Sequence, residues 1–151
     1  MFRQRPAELF FEQAKKRKVG ILARVPLASG LLTGKMKADS QFEANDHRAY
    51  NRQGESFDRG ETFSGVDYTA GLQAVEELKS ICPARMSMTQ FALRWILMFD
   101  AVTCAIPGAK RPAQVDENFA SADLPPINSG IMDQVRSIYY HHIRKLVHHY
   151  W

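Results

Sequence analysis

The sequence predicts an α/β fold with parallel strands, on three observations. Residues 19–25 (VGILARV) form a short, nearly uniformly apolar run of the kind that suits a strand covered on both faces of a parallel sheet. Residues 101–106 (AVTCAI) repeat the pattern. Between them lie two segments of helical period, and a further helix follows. Strands separated by helices pair in parallel through a right-handed crossover, so the two are expected to be neighbours in one sheet. A strand covered on both faces also implies a larger sheet than two segments provide.

Each element has its own signal. Pro6 takes a first-turn position, and residues 7–18 place Leu9, Phe10, Gln13 and Ala14 on one face of a helix. The first strand follows. Residues 36–65 are polar and aperiodic, with Asp39, Asn45, Asp46, Asn51, Gly54 and Gly60 among Phe42, Phe57 and Phe63. A loop of this length in a compact domain is usually a lid or a binding loop, so it is read as a flexible flap over a site. Ser64-x-x-Asp67 has the form of a helix start, and Tyr68, Leu72, Val75 and Leu78 continue an apolar stripe towards Cys82, where Pro83 stops it. Ser87 and Gln90 form a capping box opening 91–99, which is apolar nearly all round and therefore predicted to be buried. After the second strand come Pro107 and Gly108, then a helix beginning at Pro112. The tail, 128–151, reads as one more helix with Ile131, Val135, Ile138 and Ile143 on its apolar side. With no repeat, low-complexity tract or linker, residues 1–151 are read as one unit.

Composition narrows the function classes. The chain is 45% hydrophobic and 24% charged, as in an ordinary folded domain. No stretch approaches the roughly 20 apolar residues needed to span a bilayer, and the first residues lack a secretory apolar run. A cytoplasmic location without a membrane partner is therefore expected. Cys82 and Cys104 sit among apolar neighbours without metal or redox spacing, which predicts buried thiols. Net charge is +4, but the excess is dispersed. Its densest run, Lys15 to Lys18, closes a predicted helix, where cations complement the dipole, and no nucleic-acid motif accompanies it. His141 with His148, and His142 with His149, lie two helical turns apart, too far to share a metal; an exposed basic tail is the expectation, with no metal site.

Two places are organised for an anion. In residues 106–112 (IPGAKRP) a strand empties into a glycine turn followed by two cations and a helix amino terminus. Gly108 allows close backbone approach, the free amides of the helix start point outward, and Lys110 and Arg111 add charge. Gln114, Glu117 and Asn118 follow within reach of an attached base. The plainer reading is an exposed turn with solvated charges. The second place, residues 26–35 (PLASGLLTGK), follows the first strand with small residues suited to wrapping a ligand. Its Gly-x-x-x-Gly-Lys spacing, with no Ser or Thr after Lys35, is not that of an NTPase phosphate loop.

These two motifs, with residues 91–95 (FALRW) between them, resemble the aldo-keto reductase family along essentially the whole chain. The resemblance implies the carboxy-terminal portion of a TIM (β/α)8 barrel, incomplete because about two strands are present where a barrel has eight. It implies that Pro26, Leu27, Ser29, Gly30 and Leu31 lie along the pyrophosphate and ribose of a nicotinamide dinucleotide beside Gly108, and that Lys110 and Arg111 face a 2′-phosphate. Gln114, Glu117 and Asn118 then surround the adenine, and NADPH is the preferred cofactor. The family's catalytic aspartate, tyrosine, lysine and histidine come from the first half of the barrel. By this alignment the chain begins after the sixth strand, so none of Tyr50, Tyr68, Tyr139, Tyr140 and Tyr150 takes the tyrosine's role and no catalytic residue is assigned. A truncated, NADPH-dependent oxidoreductase, inactive by itself and taking a carbonyl substrate only with the missing half, is expected. The alternative is a non-catalytic NADP-binding or interaction module. Open strand edges predict self-association.

Overall fold

Ile21–Arg24 (β1) and Val102–Ile106 (β2) pair in parallel in a computed structural model that describes residues 1–150. Leu22 lies opposite Cys104, Ala23 opposite Ala105 and Arg24 opposite Ile106, with an irregularity between Ile21 and Leu22. Because Arg24 and Ile106 are partners, the loops that follow the two strands leave the sheet side by side. That register brings two sequence-distant motifs to one end of the fold.

The helices come before, between and after the two strands. Before β1 come Arg5–Leu9 (α1) and Phe11–Lys16 (α2). The single helix expected there is broken at Phe10 (φ −140°), and Phe11 beyond the break stands edge-on to Phe99 at 5.6 Å. The crossover contains His47–Tyr50 (α3), Tyr68–Ile81 (α4) and Met88–Leu97 (α5). Asp67 caps α4 by accepting from the Ala70 amide, while Ser64, the expected start, has φ 60° and lies outside the helix. Ser87 and Gln90 make the predicted reciprocal cap on α5, which stabilises a helix start by about 1 kcal/mol. Phe91, Ala92, Leu93, Trp95 and Ile96 are all buried, and α5 packs on β2.

After β2, Pro112–Ala120 (α6) begins at its proline as expected, and Ser129–Ile138 (α7) follows. The tail is not one α-helix. A π-turn over Tyr139–Ile143 leads to Arg144–Val147 (α8) and a final 3-10 turn. The wider turn keeps Val135, Tyr139, Ile143 and Val147, each four residues on, on one buried side. Nor is the tail uniformly exposed: the His148 ring meets the Tyr139 hydroxyl at 2.8 Å, and His142 meets Glu77 at 2.8 Å. Burial and the neighbouring Arg144 and Arg5 push His148 below its ordinary pKa, against the pull of Glu8.

Two burial expectations are corrected. The strands are covered on one face only: Ala23, Val102 and Ala105 pack towards the core, whereas Leu22 is 62% and Ile106 54% exposed. No second layer covers that face, and β1 and β2 pair only with each other among the described residues. For the same reason Cys104 is exposed, and Cys82 is half-buried, with burial raising its thiol pKa. Among the described residues no helix is long and apolar enough to cross a membrane.

Candidate functional site

The loop after β1 is anchored from beneath. Leu31 and Leu32 are fully buried in the core, a burial that stabilises by about 1.5–3 kcal/mol for each leucine. Pro26 is also buried, while Leu27, Ser29 and Gly30 are half-buried. The chain reverses here through left-handed backbone at Ser29 (φ 55°) and Gly30 (φ 98°). The positive φ at Gly30 calls for glycine; a Cβ there would stand 2.8 Å from the Met36 methyl, the end of a flexible side chain that can shift aside.

Residues 36–65 lie against that loop as a series of turns built on a buried polar residue. The Asn51 carbonyl oxygen accepts from the Ser56 and Phe57 amides, and its amide nitrogen donates to Thr62 Oγ1. Asp46 caps α3 through the Arg48 amide and accepts from Arg48 Nε at 2.9 Å. That hydrogen-bonded guanidinium holds the Asp46 carboxyl well below the usual carboxylate range. The Arg48 guanidinium also lies over the Phe42 ring at 4.6 Å and donates to the Ser29 carbonyl at 3.4 Å. Arg52 lies over Phe42, Phe63 and Tyr68.

The segment closes on β1. The two terminal guanidinium nitrogens of Arg24 donate to the Glu61 carboxylate, at 2.9 and 2.8 Å, and this lowers the Glu61 pKa. Arg24, Pro26, Glu61, Phe2 and Trp95 share the wall of a cavity of about 400 Å³ that runs along the whole of β1, from Ile21 to Arg24. Sequence reading missed Arg24, Asp46, Arg48 and Glu61. A charge closing an otherwise apolar strand and an Asp-x-Arg cap were the available signals for the first three; nothing local marks Glu61, which lies 37 residues from its partner.

The loop after β2 is open. Gly108, Lys110 and Arg111 are exposed, and nothing in the chain lies within 4 Å of where a Gly108 Cβ would stand. Neither cation forms an ion pair among the described residues. The amides, however, are not free as expected. Gln114 Oε1 accepts from the Lys110 amide at 2.8 Å and the Arg111 amide at 3.1 Å, and Pro112 has none to offer. Glu117 accepts from the Ser87 hydroxyl at 2.6 Å, and Asn118 donates to the Gly108 carbonyl at 3.4 Å. Gln114 and Asn118 thus shape the turn, while Glu117 ties α6 to the start of α5, leaving the turn's anion-attracting capacity to the two cationic side chains.

The model of the aldo/keto reductase family matches residues 1–140. The chain belongs to that family. It is 35% identical over 124 residues to L-glyceraldehyde 3-phosphate reductase of Escherichia coli K12, covering 76% of this chain and 34% of that protein. Aldo-keto reductase str7 of Strobilurus tenacellus is 32% identical over 119 residues, covering 79% of this chain and 33% of the relative. The chain thus spans about a third of the length of the curated relatives it matches. A glycerol dehydrogenase structure from Gluconobacter oxydans superposes with a TM-score of 0.71 at 25% identity, over 91% of this chain and 39% of the other. The family's oxidoreductase barrel is present here in part: two parallel strands with their helices, an incomplete TIM barrel.

Proposed function

We propose that this chain forms the NADPH-holding portion of an aldo-keto reductase acting on aldehyde or ketone carbonyls. The observation that carries the reading is the register between Arg24 and Ile106, which sets the glycine-containing loop 26–31 beside the cation-bearing loop 107–111 at the carboxyl end of a parallel sheet. Ligands of such sheets bind at that end. The fit is physical. Lys110 and Arg111 are exposed and form no ion pair among the described residues, as recognition of a 2′-phosphate requires, and the clear space at Gly108 admits a ligand against the backbone. Leu27, Ser29 and Gly30 form the adjoining wall for the pyrophosphate and ribose, while Pro26 and Leu31, buried beneath them, hold that wall in place. Gln114 fixes the loop amides, and Glu117 and Asn118 stand a turn further along α6 towards the adenine.

When bound, NADPH supplies the hydride for carbonyl reduction. No group in this chain is assigned the accompanying proton transfer, so the isolated chain binds the dinucleotide and does not turn over. Titrating NADPH against the purified chain, followed by nicotinamide fluorescence, should give saturable binding; absence of saturation at any accessible concentration contradicts the reading. Incubation with NADPH and 4-nitrobenzaldehyde should leave absorbance at 340 nm constant, and steady oxidation overturns the proposal that this chain is inactive by itself.

One observation favours a second reading, a non-catalytic NADP-binding or interaction module. Leu22 and Ile106 lie exposed on a sheet face beside unpaired strand edges, and such edges and patches associate with other chains. A monodisperse monomer by light scattering contradicts self-association through them.

A further inference from the structure

The turn over residues 148–150 is not held by the core. Val147 is fully buried, whereas none of His148, His149 and Tyr150 is. Polar contacts fasten the turn instead, and they gather on one residue. The Tyr139 hydroxyl meets His148 Nδ1 at 2.8 Å, Glu8 Oε2 lies 3.5 Å from His148 Nε2, and Arg5 donates to the His148 carbonyl at 2.7 Å. Arg3, which donates to the carbonyls of Val147 and Ser64, lies over the Tyr150 ring at 5.8 Å. Tyr150 in turn forms part of the wall of the cavity along β1.

The protonation state of His148 decides whether these contacts agree. A carboxylate only accepts, so Glu8 beside Nε2 selects the tautomer with its proton there and leaves the Nδ1 lone pair for the Tyr139 hydroxyl. Tyr139 keeps its proton to give, because burial raises its pKa. In an imidazolium both nitrogens donate. Nδ1 then cannot accept, and the hydroxyl of buried Tyr139 loses its acceptor where water does not replace it. Charge works the same way. Arg144 of α8 and Arg5 of α1 face the ring, against the pull of Glu8, which also accepts from Tyr140 at 3.4 Å. We propose that residues 148–150 are an acid-released strap: neutral His148 fastens them through Tyr139, and charged His148 lets them go, which withdraws Tyr150 from the cavity along β1. Val147 stays in the core, so the hinge lies between Val147 and His148. Burial, Arg144 and Arg5 hold the His148 pKa below its ordinary value of 6.5. For a ring with a lowered folded pKa the fastening is complete above about pH 6.5 and is lost as pH falls through the lowered value.

Backbone amide NMR relaxation of the whole chain, at about pH 7.5 and about pH 5, tests the strap. Order parameters at His149 and Tyr150 should be about 0.85, those of fixed backbone, at the higher pH and fall below about 0.6 at the lower, while Val147 keeps its value. The fall should track the titration of the His148 ring, followed through its Cε1 proton. Asparagine places an amide oxygen near the position of Nδ1 and does not titrate, so His148→Asn should hold the strap at both pH values. Tyr139→Phe removes the hydroxyl and should loosen the strap already at the higher pH. Order parameters that stay the same at the two pH values in the unaltered chain overturn the strap, whatever the variants do. Acid release that persists in His148→Asn overturns it too, since another group then drives the release, and a strap equally fixed without the Tyr139 hydroxyl removes its fastening.

Discussion

The two loops at the carboxyl end of the sheet are opposites in construction. The loop after β1 is clamped by the fold itself, on buried Leu31 and Leu32 below and by Ser29, Arg24 and Arg48 contacts to the flap above. The loop after β2 is held only by Gln114 and Asn118 and presents Gly108, Lys110 and Arg111 to solvent. The difference is instructive because both motifs look alike in sequence: a strand, glycine, small residues and a lysine. Glycine is required by the chain's own backbone at position 30, where φ is positive, but not at 108, where only something outside the chain would need the space. The first loop is shape, the second is charge.

Stability measurements should separate them. Leu31→Ala removes a fully buried side chain, and urea unfolding should report a loss of about 2–5 kcal/mol; a loss below about 1 kcal/mol contradicts the anchoring described. Gly30→Ala should cost about 1–3 kcal/mol through the positive φ at this position. Gly108→Ala should leave stability unchanged or raise it by up to about 1 kcal/mol, while weakening NADPH binding. If both glycine substitutions destabilise equally, the contrast fails.

A smaller effect follows from Asp46. Its carboxyl titrates below the unfolded value because of Arg48, so the unfolded chain binds the proton more readily than the folded one does. The associated stability is present above about pH 4 and is lost as pH falls further towards the folded value. Urea midpoints should decline below pH 4, and Asp46→Asn should flatten part of that decline; an unaltered acid profile in this variant would remove Asp46 from the account.

Much of the helical framework was legible because its signals are local. The Ser87–Gln90 cap and the Pro112 start act within one turn, and the alternation of strands and helices sufficed for parallel pairing. Burial of the strands was misread for a physical reason: an apolar run reports what a strand is fit to contact, and Leu22 and Ile106 lack a covering layer here. Asp67 rather than Ser64 caps α4 because Ser64 is held in left-handed backbone beside the first loop. The hydrogen bond that ties the first loop to the 36–65 segment was illegible, since Ser29 and Phe63 are 34 residues apart in the chain. The cations of the second loop were readable because exposed charge needs no partner to be recognised.

The most direct test of the central claim compares NADPH with NADH in binding to the unaltered chain and to a Lys110→Met, Arg111→Met double variant. Charge-assisted hydrogen bonds contribute about 1.5–3 kcal/mol each, so NADPH should bind at least about tenfold more tightly than NADH to the unaltered chain, and the double substitution should abolish that preference while leaving urea unfolding unchanged. A preference for NADPH that persists without the two cations, or none in their presence, contradicts the assignment of this loop to the 2′-phosphate.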